Sequence, residues 1–250
     1  MRSRLLVVLI ASLGFGFAVP AFATGIDCSQ GGCTVQLQVT SNGTTTTGSG
    51  SFTINPTTGA ISLLTPISVA DPADPLTHVY VSDVHGNADP ILGFAASAST
   101  GLSGATFSVS FSLPIALSGT INANSSISYS LTGTTAPGAQ IAPLFGHVLV
   151  AQEVDTSIGG LPPLNKGVDA GNTFACTPGP CTGNSPVFTA SNSFVGNLAY
   201  DLMSATLAFS LSPSSQVGIS GFVQQVVPEP NTALLLVVGV VAVAWRARRA

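Results

Sequence analysis

The sequence predicts an all-β protein, a β-sandwich of jelly-roll type, lying between two short apolar ends. Three observations carry that prediction. Apolar residues alternate with polar ones at a period of two in run after run, clusters of Gly, Pro and Asn separate the runs, and no segment between the ends sustains a 3.6-residue repeat. Short alternating strands at such spacing build sandwiches. The polar partners are mostly hydroxyls rather than charges: 6% of the 250 residues are charged.

At the N-terminus, Arg2 and Arg4 precede an apolar stretch from Leu5 to Val19 that contains Gly14 and Gly16. Pro20 breaks it, and Ala21-Phe22-Ala23 supplies a small-x-small cleavage site. Residues 1–23 therefore read as a signal peptide cut after Ala23, handed to the general secretion machinery.

Residues 24–211 hold the sandwich. Val35, Leu37 and Val39 share one face of the first strand, and Phe107, Val109, Phe111 and Leu113 one face of another. Ile127, Tyr129 and Leu131 alternate likewise, as do Ala205, Leu207, Phe209 and Leu211. Turn signals stand at Ser41-Asn42-Gly43, Asn55-Pro56-Thr57-Thr58-Gly59, Pro137-Gly138 and Pro178-Gly179. Gly50 to Ser62 reads as a hairpin. Residues 157–186, rich in Gly, Pro and Asn, read as one long surface loop. Residues 212–226, with Val217, Ile219 and a bend at Gly221, read as the last strand or a stalk.

Four cysteines fall in two pairs with four residues between partners, Cys28 with Cys33 and Cys176 with Cys181. In an exported chain these read as two local disulfides, since Gly31-Gly32 and Pro178-Gly179 suit tight turns. Crossed pairing and a zinc site built from all four cysteines are the less favoured alternatives. No cofactor is expected. Asp83, Asn87 and Asp89 surround a glycine-containing turn and form a candidate Ca²⁺ site, against the simpler reading of a solvated loop.

Between the two ends the sequence has one basic residue, Lys166, against nine acids: Asp27, Asp71, Asp74, Asp83, Asp89, Glu153, Asp155, Asp169 and Asp201. That balance excludes nucleic acid and anionic lipid headgroups as partners. His78, His85 and His147 stand in no triad pattern, and no G-x-S-x-G occurs, so no enzyme is expected. Glu153 and Asp155 would share a face if Val148–Val154 is a strand, which leaves glycoside hydrolysis as a remote alternative.

The C-terminal 227–250 is built differently. Pro228 and Pro230 lack a backbone N–H and push Val227 and Glu229 into extended conformations. Asn231 or Thr232 can cap the next segment, Ala233–Trp245, thirteen residues without a charge. Eight of these are Leu or Val, which favours insertion by about 3 kcal/mol. As a single transmembrane helix the fifteen residues from Asn231 to Trp245 are short, about 22 Å against roughly 30 Å of hydrocarbon. Arg246, Arg248 and Arg249 then hold the terminus on the cytoplasmic side. A permanent anchor is one reading.

Val227-Pro228-Glu229-Pro230, the short apolar helix and the arginine cluster together resemble the PEP-CTERM sorting signal of Gram-negative bacteria. The resemblance implies recognition by exosortase, a membrane transpeptidase-like enzyme, and removal of the tail during export. It also implies that the membrane is met transiently, with the inner-membrane precursor passing to the cell surface or extracellular matrix. The resulting expectation is a surface or exopolysaccharide-matrix protein with a structural or interaction role. A carbohydrate-binding module of the cell surface is the alternative, and a secreted hydrolase a more distant one.

Overall fold

Alternation becomes architecture through the first hairpin. In the computed structural model, which describes residues 28, 32–87, 90–117 and 119–227, β1 (Thr34–Ser41) turns into β2 (Thr44–Ile54) through Asn42 and Gly43. Both turn residues have positive φ, 50° and 79°, and Ser41 pairs with Thr44. This is the two-residue connection whose twist matches that of the strands. The signal peptide with Ala21 and Ala23, and the tail from Pro228 onward, lie outside the described residues.

Strand β2 then changes layers. Its first part pairs with β1, while Phe52–Ile54 pairs with β3 (Ala60–Leu63), closing the hairpin expected from Gly50 to Ser62. Asn55 organises that turn by accepting the Thr57 and Thr58 N–H groups at 2.9 and 3.2 Å. Gly48 and Gly50 make room for the next segment, β4 (Ile67–Ala70). A Cβ on the first would strike the Val69 side chain, and one on the second the Ile67 side chain.

The remaining strands follow as β5 (His78–Asn87), β6 (Ile91–Ser99), β7 (Ala105–Pro114), β8 (Gly119–Gly133), β9 (Ala139–Pro143) and β10 (Leu149–Val154). After them come β11 (Leu164–Asn165), β12 (Phe174–Cys176), β13 (Cys181–Asn184), β14 (Phe188–Gly196), β15 (Leu202–Leu211) and β16 (Ser215–Val226). One layer reads β11-β10-β15-β7-β1-β2 and the other β3-β5-β6-β16-β8-β13, joined through β2 and β3 into one curled antiparallel sheet. The fold is the all-β sandwich that the alternation predicts.

The core lies between the layers. Phe107, Val109, Phe111 and Leu113 of β7 all point inward, as do Ile127, Tyr129 and Leu131 of β8. Phe94 of β6 stacks on Phe111 across the core, with ring centroids 5.1 Å apart. Phe107 and Phe209 stack side by side within one layer at 5.4 Å.

Three local expectations need revision. Residues 157–186 are not one loop: they contain β11, β12 and β13 and bury Lys166, Val168 and Ala170. Glycine and proline there serve tight reversals between short strands. The Asp83 segment is strand as far as Asn87, because Val79, Val81 and Val84 need burial and a bulge between Val81 and Asp83 keeps them on the inner face. At Gly221 the expected bend is missing, since β16 pairs with β8 without a break from Ser215 to Val226. A side chain on Gly221 would strike the Ser126 carbonyl oxygen, which explains the glycine by contact rather than by curvature.

Candidate functional site

Strand pairing brings the hydroxyls and amides of the first layer's outer face into rows. Gln38 stands between Ser108 and Thr47, and Gln36 between Ser110 and Ser49. Thr206 of β15 extends the second row, its Oγ1 lying 3.0 Å from Ser110 Oγ. Gln36 and Gln38 project into solvent because Val35, Leu37 and Val39 take the inner positions of the same strand. Between the rows lies a shallow groove of about 410 Å³, lined by Gln36, Gln38, Thr47, Ser49, Ser108 and Ser110. No charged side chain belongs to it. Its chemistry is that of paired donors and acceptors without a formal charge, suited to a neutral or hydroxyl-rich partner. Aromatic side chains do not line it, and the best exposed one among the described residues, Phe145, stands elsewhere at 74% exposure.

The acids singled out for possible paired action diverge. Glu153 points inward from β10 and is 1% exposed. Asp155 lies beyond the end of the strand and organises a turn, accepting the Ser157 and Leu161 N–H groups, each at 2.9 Å. The Ser157 hydroxyl, contributing most, and those two N–H groups hold the Asp155 carboxyl below its ordinary range. The partner of Glu153 is Lys166, with Nζ 2.5 Å from Oε2. The Lys166 ammonium lies 4.0 Å from the Phe194 ring centroid and 5.3 Å from that of Tyr200. Burial pushes the Glu153 carboxyl upward, opposed by Lys166 and by the side chain of Gln225. Sequence reasoning finds Lys166 as the single basic residue between the two ends and misses its place in the core. Its solitude is the available signal, because a lone charge in so neutral a chain must be either exposed or paired.

The candidate calcium ligands do not converge in the described part. Asp83 is hydrogen-bonded to His85 at 2.7 Å on the exposed face of β5, Asn87 ends that strand, and Asp89 lies outside the described residues. Among the described residues no cluster of three or more His, Cys, Asp or Glu could hold a metal. Both local disulfides are present, Cys28–Cys33 with Cα atoms 5.2 Å apart and Cys176–Cys181 at 5.9 Å. The second fastens β12 to β13, strands of opposite layers.

Strand β16 ends at Val226, followed by Val227 and the Pro-Glu-Pro triplet. Residues 226–249 match the family model of the PEP-CTERM protein-sorting motif. The C-terminus is a PEP-CTERM sorting signal. The motif implies an exported protein, anchored in the membrane transiently before processing by an exosortase. Its residues Pro228, Glu229, Pro230, Arg246, Arg248 and Arg249 lie outside the described part, whereas Val227 closes it. Among the described residues no helix is long and apolar enough to cross a membrane.

No curated protein matches the chain significantly. Among solved structures, it is similar to TmCBM61 in complex with β-1,4-galactotriose at 12% identity and a TM-score of 0.26, covering 64% of this chain and 86% of that one. It is also similar to the adhesin domain of Epf from Streptococcus pyogenes, at 9% identity and a TM-score of 0.33, covering 82% and 63%. The carbohydrate-binding module TmCBM27, described as recognising mannan, follows at 7% identity and a TM-score of 0.25, covering 68% and 89%.

Proposed function

We propose that this PEP-CTERM protein is a non-enzymatic component of the cell surface or exopolysaccharide matrix, delivered there by its tail and acting through its sandwich domain. The observation that carries the reading is the sorting motif at 226–249, directly after the last strand of the sandwich. Two features of that sandwich support it. The outer face of β1, β2 and β7 offers rows of hydroxyl and amide groups of the kind that exchange hydrogen bonds with a hydrated polymer. The carboxylates Glu153 and Asp155 point apart, one into the core and one into a turn, which favours a role without hydrolysis.

A second reading, a carbohydrate-binding module in the strict sense, draws on the groove between Gln36, Gln38 and Ser108. The lack of an aromatic floor makes adhesion through many weak contacts the better fit than tight capture of one oligosaccharide. Retention of the exported protein on the producing cell's extracted polysaccharide tests both. Gln38→Glu with Ser108→Asp should weaken retention by placing two like charges in the groove, while leaving secretion unchanged. Equal retention of the double variant and the parent would reject the groove as the contact surface.

A further inference from the structure

The core carries a polar cluster that neither the sorting signal nor the outer face uses. Glu153 of β10 and Lys166, the residue after β11, come from one layer; Gln225 of β16 comes from the other. All three are 1–2% exposed. In the second layer, Gln225, Ala123 and Asn192 form one row across β16, β8 and β14. The small Ala123 at its centre leaves space for groups from the opposite layer.

The Glu153 carboxyl joins the other two. Oε2 lies 2.5 Å from Lys166 Nζ, and the Gln225 side chain bears on the same carboxyl. Yet Glu153 Oε1 and both polar atoms of Gln225 lack a well-formed hydrogen bond among the described residues. A buried primary amide left in that state is costly, by about 1–3 kcal/mol per group. Asn192 is different: its Nδ2 already donates to the Lys166 carbonyl at 2.8 Å. Phe194 and Tyr200 wall the Lys166 side chain. The arrangement is an amine, a primary amide and a carboxyl between them, in a site closed off from bulk solvent.

We propose that Lys166 and Gln225 condense after folding into an intramolecular amide cross-link, with Glu153 as the proton carrier. Glu153 takes a proton from the Lys166 ammonium, and the free electron pair of Nζ attacks Gln225 Cδ. The Cδ–Nε2 bond then breaks as the proton held by Glu153 passes to the leaving nitrogen; ammonia departs, and Glu153 takes the second Nζ proton, leaving a neutral secondary amide and a protonated carboxyl. One C–N bond forms and one breaks; nothing is oxidised and no co-reactant is consumed. Burial of the amine and the amide around one carboxyl takes the place of external activation, and burial protects the product from hydrolysis. Burial also raises the affinity of the Glu153 carboxyl for the proton it must carry. The bond would tie β16, the strand leading into the sorting tail, to the opposite layer.

Lys166 is the one lysine of the sequence, which makes the test direct. The full-length chain, expressed with its export route, is reduced, denatured and treated with a lysine-specific endopeptidase. An unmodified chain is cut into two pieces after Lys166, whereas a cross-linked chain resists. Mapping with a second protease should then find the peptides of Lys166 and Gln225 joined and lighter by one ammonia. Glu153→Gln and Gln225→Ala, each confirmed folded by circular dichroism, should both restore cleavage and abolish the joined peptide. Complete cleavage of the parent overturns the proposal. So does a joined peptide lighter by one water and linked at Glu153, or a link to Asn192.

Discussion

Phe111→Ala probes the packing on which the sandwich rests. Phe111 and Phe94 are 0% and 1% exposed, and their rings stack at 5.1 Å with planes 15° apart, one from each layer. Truncation removes the ring from a close-packed site and leaves a cavity that neighbouring strands cannot readily fill. Such changes cost about 3–5 kcal/mol. For a domain of about 200 residues each kcal/mol moves the melting temperature by roughly 2–4 °C, so the expected drop is about 6–20 °C. Phe222→Ala is the control, because Phe222 sits on the outer side of β16 at 36% exposure. Its truncation should cost under about 1 kcal/mol, in the range of surface substitutions. Thermal unfolding of the exported protein, followed by far-ultraviolet circular dichroism, measures both. A Phe111→Ala shift no larger than that of Phe222→Ala would refute the two-layer packing.

The remaining predictions concern acid response and cross-linking. Burial raises the folded-state pKa of Glu153 above its ordinary 4.5, so the stability tied to its protonation is present at low pH and lost as pH rises through the folded value. Glu153→Gln should flatten that decline in urea midpoints; an unchanged pH profile would contradict the assignment. Asp155 has the opposite sign: its depressed pKa gives stability that is present above its ordinary 3.8 and lost as pH falls, and Asp155→Asn should flatten the acid limb. Replacing Cys176 and Cys181 together with serine opens a six-residue loop and should lower stability by about 2 kcal/mol on the chain-entropy argument. Unfolding midpoints identical to those of the parent would count against that bond.

Much of this architecture is legible residue by residue, and the legible part shares one cause. Where one strand face is buried and the other wet, as in Val35-Gln36-Leu37-Gln38-Val39, burial imprints a period of two on the sequence. Asn42-Gly43 declares its turn because few residues tolerate positive φ. Pairing partners leave no such mark: nothing local says that β1 lies between β2 and β7, residues 105–114, since the pairing is set by packing across the chain. Residues 157–186 read as loop because their strands are two to four residues long, too short to show a period. Lys166 and Gln225 escape for a related reason. A polar residue at an inward position looks like a break in the alternation until its partners from other strands are known. The sorting signal is the easiest element to read, because its three parts are contiguous and owe nothing to the fold.

Above all, the segment from Pro228 onward is read as an address removed after delivery. Intact-mass measurement of the protein recovered from the cell-surface fraction tests this most directly. The expected mature chain lacks Trp245, Arg246, Arg248 and Arg249, and an Ala-Ala-Ala replacement of Pro228-Glu229-Pro230 should persist uncut in the inner membrane. Wild-type surface protein that still carries Trp245 and the terminal arginines would contradict removal and identify the tail as a permanent anchor.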